Sequence, residues 1–404
     1  MPVLRKVALF TNEYPPHVYG GAGVHVEYLA RAMAKLLSVE VRCFGEPRRS
    51  EQGNPAVRGY PGWEEAKRGT DPRFASAVDA FARSLAMAKD TLDADVAHCH
   101  TWYTDMAGLL ASRLWDVPFV LTVHSLEPLR PWKVEQLGNA YHLSTWMERT
   151  AMEQADAIVA VSQRTREDVL RLFDVQAARV HVIHNGIDPE EYRRTEAQDA
   201  LARHGVDPGR AYLLFVGRIS RQKGIIHLVD AIPEIDPSLQ VVLCAGAPDT
   251  PEIGKEMEDG VAAVSAKRPG VIWIREMLPR PEVIQLYGQA AVFCCPSVYE
   301  PFGIINLEAM ACETAVVASA VGGIREVVVP GETGLLVDPK LKPGTFEPAD
   351  RKAFASELAA AINQLGRDAS LRERMGKAGR RRVVEHFSWD AIAQRTVDLY
   401  RSLL

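Results

Sequence analysis

Glu300-Pro301-Phe302-Gly303-Ile304-Ile305-Asn306-Leu307-Glu308 follows directly on the apolar run Ala291-Val292-Phe293-Cys294-Cys295. The junction reads as a buried strand, a turn broken by Pro301 and Gly303, and a helix from Ile304. A strand that feeds a helix through so short a turn is one step of a parallel α/β sheet. The turn leaves backbone N–H groups free near Gly303, and such a helix start favours an anion, for instance a diphosphate. Glu300 before the helix and Glu308 more than a turn into it are two acceptors several ångströms apart, suited to the hydroxyls at the two ends of a nucleotide sugar. The plain alternative is that one glutamate caps the helix and the other is solvated.

The same strand–helix alternation extends in both directions. Apolar strand-like runs at 211–216, 240–245, 271–274, 291–295, 315–318 and 334–337 make one doubly wound unit. Runs at 6–11, 39–44, 95–99, 118–123, 157–161 and 180–183 make another. Between them Val26, Leu29, Met33, Leu36 and Leu37 stripe one face of a helix expected to begin near Gly23. Short buried strands separated by helices imply parallel sheets covered on both faces, with ligands at strand ends facing the gap between the halves. The expected domains are 1–190, 205–387 and a final helix over 388–404, with the polar stretch 189–209 as linker. Ser388 is the expected N-cap of that last helix.

The 404 residues, 47% apolar and 25% charged, fit two globular domains with full cores. A net charge of −5 provides no basic field for nucleic acid, and Arg380-Arg381-Arg382 reads as a solvated helix face. Cys43, Cys99, Cys244, Cys294, Cys295 and Cys312 lack zinc or disulfide spacing and read as small core residues of a cytoplasmic protein. No signal peptide or membrane span is expected. A homodimer is compatible with the sequence.

Three strand ends carry chemistry. Gly217-Arg218-Ile219-Ser220-Arg221-Gln222-Lys223-Gly224 places Arg218, a forked donor, and Lys223, a mobile point charge, where a leaving diphosphate would need them. Alone, the segment would read as a charged surface loop. Tyr19-Gly20-Gly21-Ala22-Gly23-Val24-His25 allows close backbone approach, but Val26 stands where a dinucleotide fingerprint has its third small residue, so a nicotinamide enzyme is a weak rival. His98-Cys99-His100-Thr101-Trp102-Tyr103-Thr104-Asp105 and Thr122-Val123-His124-Ser125 end two further strands. His98 and His100 share a face, but no clear third ligand is specified, and no metal is expected. His124 is either a polar group lining the cleft or a strand-end histidine bonded to a carbonyl. Asp93-Ala94-Asp95 looks like an acidic metal motif by chance.

Together, Glu300 to Glu308, Arg218 with Lys223, the Gly20-Gly21 loop and His124 resemble the retaining GT-B glycosyltransferases of family four over essentially the whole chain. Within that family the likeness is closest to the short bacterial glycogen synthases and maltose-1-phosphate synthases, through His124-Ser125-Leu126-Glu127-Pro128-Leu129-Arg130-Pro131-Trp132-Lys133. The resemblance implies two Rossmann-like domains facing a cleft, a donor bound chiefly by the second, and a last helix returning to the first. It implies that Glu308 holds the donor ribose and Glu300 the transferred sugar, with Arg218, Lys223 and the Gly303 and Ile304 N–H groups on the diphosphate. Gly21 would approach the phosphates, and His124 and Asp105 would line the acceptor side; the catalytic set is Glu300, His124, Arg218 and Lys223. Longer bacterial glycogen synthases have a lysine where this chain has Val18 and an aspartate where it has Thr101.

The expected reaction is retaining transfer of glucose from ADP-glucose to an α-1,4-glucan or to glucose 1-phosphate, with no cofactor and no obligatory metal. The alternatives are a UDP-sugar transferase acting on a small metabolite or lipid, a nucleotide-sugar epimerase, and a non-catalytic nucleotide-sugar sensor.

Overall fold

The computed structural model describes residues 3–18, 20–50, 53–134, 138–246 and 248–404, so Tyr19 of the glycine loop lies outside it. The chain forms two compact units, 1–186 with 389–404, and 187–388. Both are parallel α/β sheets.

Unit 1 holds β1 (Lys6–Thr11), β2 (Ser38–Phe44), β3 (Arg49–Ser50), β4 (Ala56–Tyr60), β5 (Val96–His100), β6 (Phe119–Val123), β7 (Ala157–Ala160) and β8 (Val180–Val182), in the order β3-β4-β2-β1-β5-β6-β7-β8. The β3–β4 pair is antiparallel and the others are parallel. Strand alternation sends Ala97 and Cys99 into one core, with the Ala75–Lys89 and Trp102–Trp115 helices, and Val96 into the other. That second core contains Val26, Leu29 and Met33 of the Gly21–Met33 helix and Trp389, Ile392, Val397 and Tyr400 of the Trp389–Leu403 helix. Trp389 stacks on Tyr28, with ring centroids 5.9 Å apart, and abuts Gly186, where a Cβ would come within 2.6 Å of the indole.

Unit 2 holds β9 (Tyr212–Arg218), β10 (Gln240–Gly246), β11 (Val271–Ile274), β12 (Val292–Cys295), β13 (Ala315–Ser319) and β14 (Gly334–Val337), in the order β11-β10-β9-β12-β13-β14. The direction in which successive strands are added to this sheet reverses between β9 and β12, and the equivalent point in unit 1 lies between β1 and β5. Such switch points leave a crevice at the strands' carboxyl ends, where ligands bind in doubly wound folds.

Several details depart from expectation. β3 and β4 were not expected, because Ala56-Val57-Arg58-Gly59-Tyr60 mixes charge and glycine in a half-exposed strand, and the edge strand β3 beside it is only two residues long. The first helix begins at Gly21 and ends at Met33, which leaves Leu36 exposed. Residues 189–209 are no free linker: they include the Asp199–Arg203 helix and bury Tyr192, Leu201 and Val206 in unit 2. Arg380-Arg381-Arg382 is not simply a solvated face. Arg380 donates to the carbonyls of Ala311, Pro189 and Tyr192, and Arg382 to those of Val327 and Glu326, so only Arg381 projects to solvent. All six cysteines are free and buried. Asp95 accepts from the N–H groups of Arg5 and Lys6 at 2.7 and 2.9 Å, a structural tie between strand ends. Among the described residues no helix is long and apolar enough to cross a membrane.

Candidate active site

The turns after β9 and β12 meet at the switch point of unit 2. Lys223 Nζ donates to Glu300 Oε2 at 2.6 Å, and Ser297 Oγ to the same oxygen at 3.3 Å. Glu300 is 6% exposed. Gly303, at φ 99°, caps the Ile304–Ala311 helix without a side-chain bond, so first-turn N–H groups lack an intrahelical acceptor. An alanine Cβ there would meet Asn306 Nδ2 at 2.7 Å. From the far end of β13, Gly322 (φ 49°) presses on the other side of the turn: a Cβ would lie 1.9 Å from the Glu300 carbonyl, which accepts from Gly323 N–H at 3.0 Å. Sequence reasoning missed this support, although paired glycines just after a strand signal a close backbone approach.

Glu308, on the helix, accepts from the Tyr287 hydroxyl at 2.9 Å. Desolvation raises its carboxyl above the usual range, opposed by the Tyr287 and Tyr192 hydroxyls and the charges of Arg280 and Lys223. Lys223 therefore reaches both carboxylates, Glu300 by its hydrogen bond and Glu308 by its charge. Arg218, at the end of β9, forms an ion pair with Asp249, a partner that no sequence pattern announced. Unit 2 thus brings Arg218, Lys223, Glu300, Gly303, Ile304 and Glu308 to the carboxyl ends of two adjacent strands. The arrangement offers two cations and a helix start for an anion, and two carboxylates for hydroxyls.

In unit 1, Gly20 is the N-cap of the Gly21–Met33 helix, and its N–H donates to Glu13 Oε2 at 2.8 Å. Gly21, first in the helix, is exposed. A carboxylate of the chain itself thus reaches the backbone where the sequence suggested phosphate. Thr101 has φ 73°, an outlier for a β-branched residue, and its hydroxyl donates to Asn12 Oδ1 at 2.9 Å.

Four histidines gather on one side of β5. His98 is spoken for at both ring nitrogens, by Tyr400 and Thr122, which removes it from the metal pair weighed with His100. His100 Nδ1 instead lies 3.1 Å from His124 Nε2, and His25 sits edge-on to His124 with centroids 4.7 Å apart. Burial lowers all four below the usual histidine range, His25 to about 4 and His98 to about 3. His124 is half-buried, not sealed in. Asp105 goes to a different neighbourhood: it is 2% exposed, within electrostatic reach of Cys99, and held well above the usual carboxylate range by burial and then by Glu127. Glu148 is raised likewise and accepts from the Glu127 N–H, anchoring the segment after His124. Glu127 in turn pairs with Arg130 at 3.3 Å.

Residues 19–191 match the family described as Glycosyltransferase Family 4, and residues 197–382 match Glycosyl transferases group 1. The sequence is 49% identical over 402 residues to the α-maltose-1-phosphate synthase of Mycolicibacterium smegmatis, covering 98% of this chain and 99% of that one. Identity to the protein of the same name from Mycobacterium tuberculosis is 47% over 405 residues, with 98% and 99% covered. Among solved structures, sucrose-phosphate synthase from Thermosynechococcus elongatus superposes with a TM-score of 0.77 at 26% identity, over 99% of both chains. The fold is GT-B.

Proposed function

Because the chain belongs to the family 4 glycosyltransferases, we propose that it transfers glucose from ADP-glucose, with the α configuration retained, to glucose 1-phosphate, releasing ADP and α-maltose 1-phosphate. The observation that carries this reading is the meeting of Arg218, Lys223, Glu300 and Glu308 at the β9–β12 switch point. The choice of acceptor draws on the name of the 49% identical relative.

In this mechanism the bond from the sugar C1 to the diphosphate oxygen breaks as the acceptor's O4 attacks C1 on the same face, and a diphosphate oxygen takes the acceptor's proton. Arg218, Lys223 and the Gly303 and Ile304 N–H groups meet the charge that grows on the departing diphosphate. Glu300 orients the sugar hydroxyls and Glu308 holds the ribose, and His124 is assigned to the sugar and its acceptor. Lys223 leaves Glu300 for the phosphates when the donor arrives, which frees the carboxylate for the sugar.

Product analysis tests the reading. ADP-glucose and UDP-glucose are each offered with glucose 1-phosphate and with glycogen, and products are read by phosphorus NMR and mass spectrometry. The expected result is maltose 1-phosphate from ADP-glucose. Extension of glycogen alone, a preference for UDP-glucose, or binding without turnover would each replace it with the glucan, UDP-sugar or sensor reading.

A further inference from the structure

The histidine cluster of unit 1 holds more than a sugar-facing residue needs. His25 comes from the helix after β1, His100 from the end of β5 and His124 from just beyond β6, so the switch point of unit 1 collects three imidazoles from three elements. One ring nitrogen from each lies within 4.8 Å of the other two. His25 Nδ1 is 2.7 Å from Asn185 Oδ1. An amide oxygen only accepts, so Nδ1 carries the hydrogen and Nε2 is left as a bare lone pair. That Nε2 is buried with no hydrogen-bond partner. Buried polar atoms without partners are rare and call for an explanation.

We propose that His25, His100 and His124 form a binding site for one divalent transition-metal ion of the zinc class. Zinc–nitrogen bonds of about 2.0–2.1 Å in a tetrahedron space neighbouring ligand nitrogens roughly 3.3 Å apart. The 3.1 Å between His100 Nδ1 and His124 Nε2 is already near that bite. Asn185 supplies the outer contact that fixes a ligating histidine's tautomer and ring orientation. Three protein ligands leave a fourth position open, reached past the half-buried His124. Metal in this site occupies His124, so zinc is an inhibitor of the transfer. The inhibition rests on the function proposed above, while the binding does not.

The test uses the metal-free full chain without any sugar. Cobalt(II) is expected to give the visible bands of a tetrahedral site at one ion per chain, and zinc to displace it. Asn185→Ala is expected to weaken cobalt binding by about 10–100-fold, and His25→Gln to abolish the bands in a protein whose circular dichroism is unchanged. X-ray absorption of the zinc-loaded wild-type chain, which needs no variant, is expected to show three imidazole nitrogens at about 2.0–2.1 Å. Absence of the bands, bands that survive His25→Gln, or fewer than three imidazoles would overturn the site. Zinc is then expected to stop consumption of ADP-glucose and a chelator to restore it. Tetrahedral binding in a chain with no turnover would retire the proposed function and keep the site, whereas turnover unaffected by bound zinc would overturn the inhibition.

Discussion

Lys223 Nζ donates to Glu300 Oε2 at 2.6 Å, which joins the turns after β9 and β12 through opposite charges largely withdrawn from water. Removing one partner leaves the other buried and unmatched. Lys223→Ala is expected to destabilise unit 2 by about 1–3 kcal/mol and to lower kcat by roughly 10²–10³-fold, the loss typical of a preorganised charge-stabilising group. Glu300→Gln is expected to lower kcat with less effect on ADP affinity. In a double-mutant cycle read by urea denaturation, the combined loss is expected to fall short of the sum. Single variants with near-parental turnover would remove both residues from the mechanism.

Gly322 supports the Glu300 turn from behind. Gly322→Ala places a Cβ against the Glu300 carbonyl at a positive φ, so the turn must shift. The atoms nearest that Cβ are all of the Glu300 backbone, whereas Glu308 lies on the following helix, held by Tyr287. A displacement of about 1 Å at a reacting group reduces turnover roughly 10²-fold. The expected outcome is such a loss in kcat with ADP affinity, measured by calorimetry, within about threefold of the parent.

The arginine run separates by role. Arg380→Ala removes three contacts to the carbonyls of Pro189, Tyr192 and Ala311 and is expected to destabilise unit 2 by about 2–3 kcal/mol. Arg381→Ala is expected to change stability by less than about 0.5 kcal/mol. Thermal denaturation of the two variants distinguishes them.

His98 gives a pH test. Its folded pKa, about 3, lies below the ordinary value of 6.5, so below pH 6.5 the unfolded chain takes up a proton that the folded chain refuses. Stability from this group is therefore whole above pH 6.5 and falls as pH drops towards 3, by about 1.4 kcal/mol per unit. His25, His100 and Tyr400 face it, while the raised carboxyls of Asp105 and Glu148 act in the opposite sense. The comparison with His98→Asn isolates the histidine. Hydrogen exchange at β5 and β6 is expected to lose protection between pH 7 and 5 more steeply in the parent.

What the sequence disclosed follows from distance along the chain. Buried parallel strands are runs of Val, Ile, Ala and Cys, so twelve of them were readable, whereas β4 carries Arg58 and Gly59 in a half-exposed position next to the edge and was not. Glu300, Gly303 and Glu308 share one turn and helix, and their spacing alone makes them a candidate group. The Arg218–Asp249 pair, the support of Glu300 by Gly322 and the Asn185–His25 bond join residues 22 to 160 positions apart, which no local pattern can reveal. Asp105 shows the converse. The family resemblance put it on the acceptor side, and the structure buries it in the first turn of its helix, within electrostatic reach of Glu127.

The Trp389–Leu403 helix completes the core of unit 1, although all of unit 2 is synthesised before it. At about 5–20 residues per second, residues 187–388 occupy the ribosome for roughly 10–40 s. Through that interval the apolar face of the Gly21–Met33 helix waits uncovered and His98 lacks its Tyr400 partner. The core of the first domain therefore cannot close until the whole second domain has been synthesised.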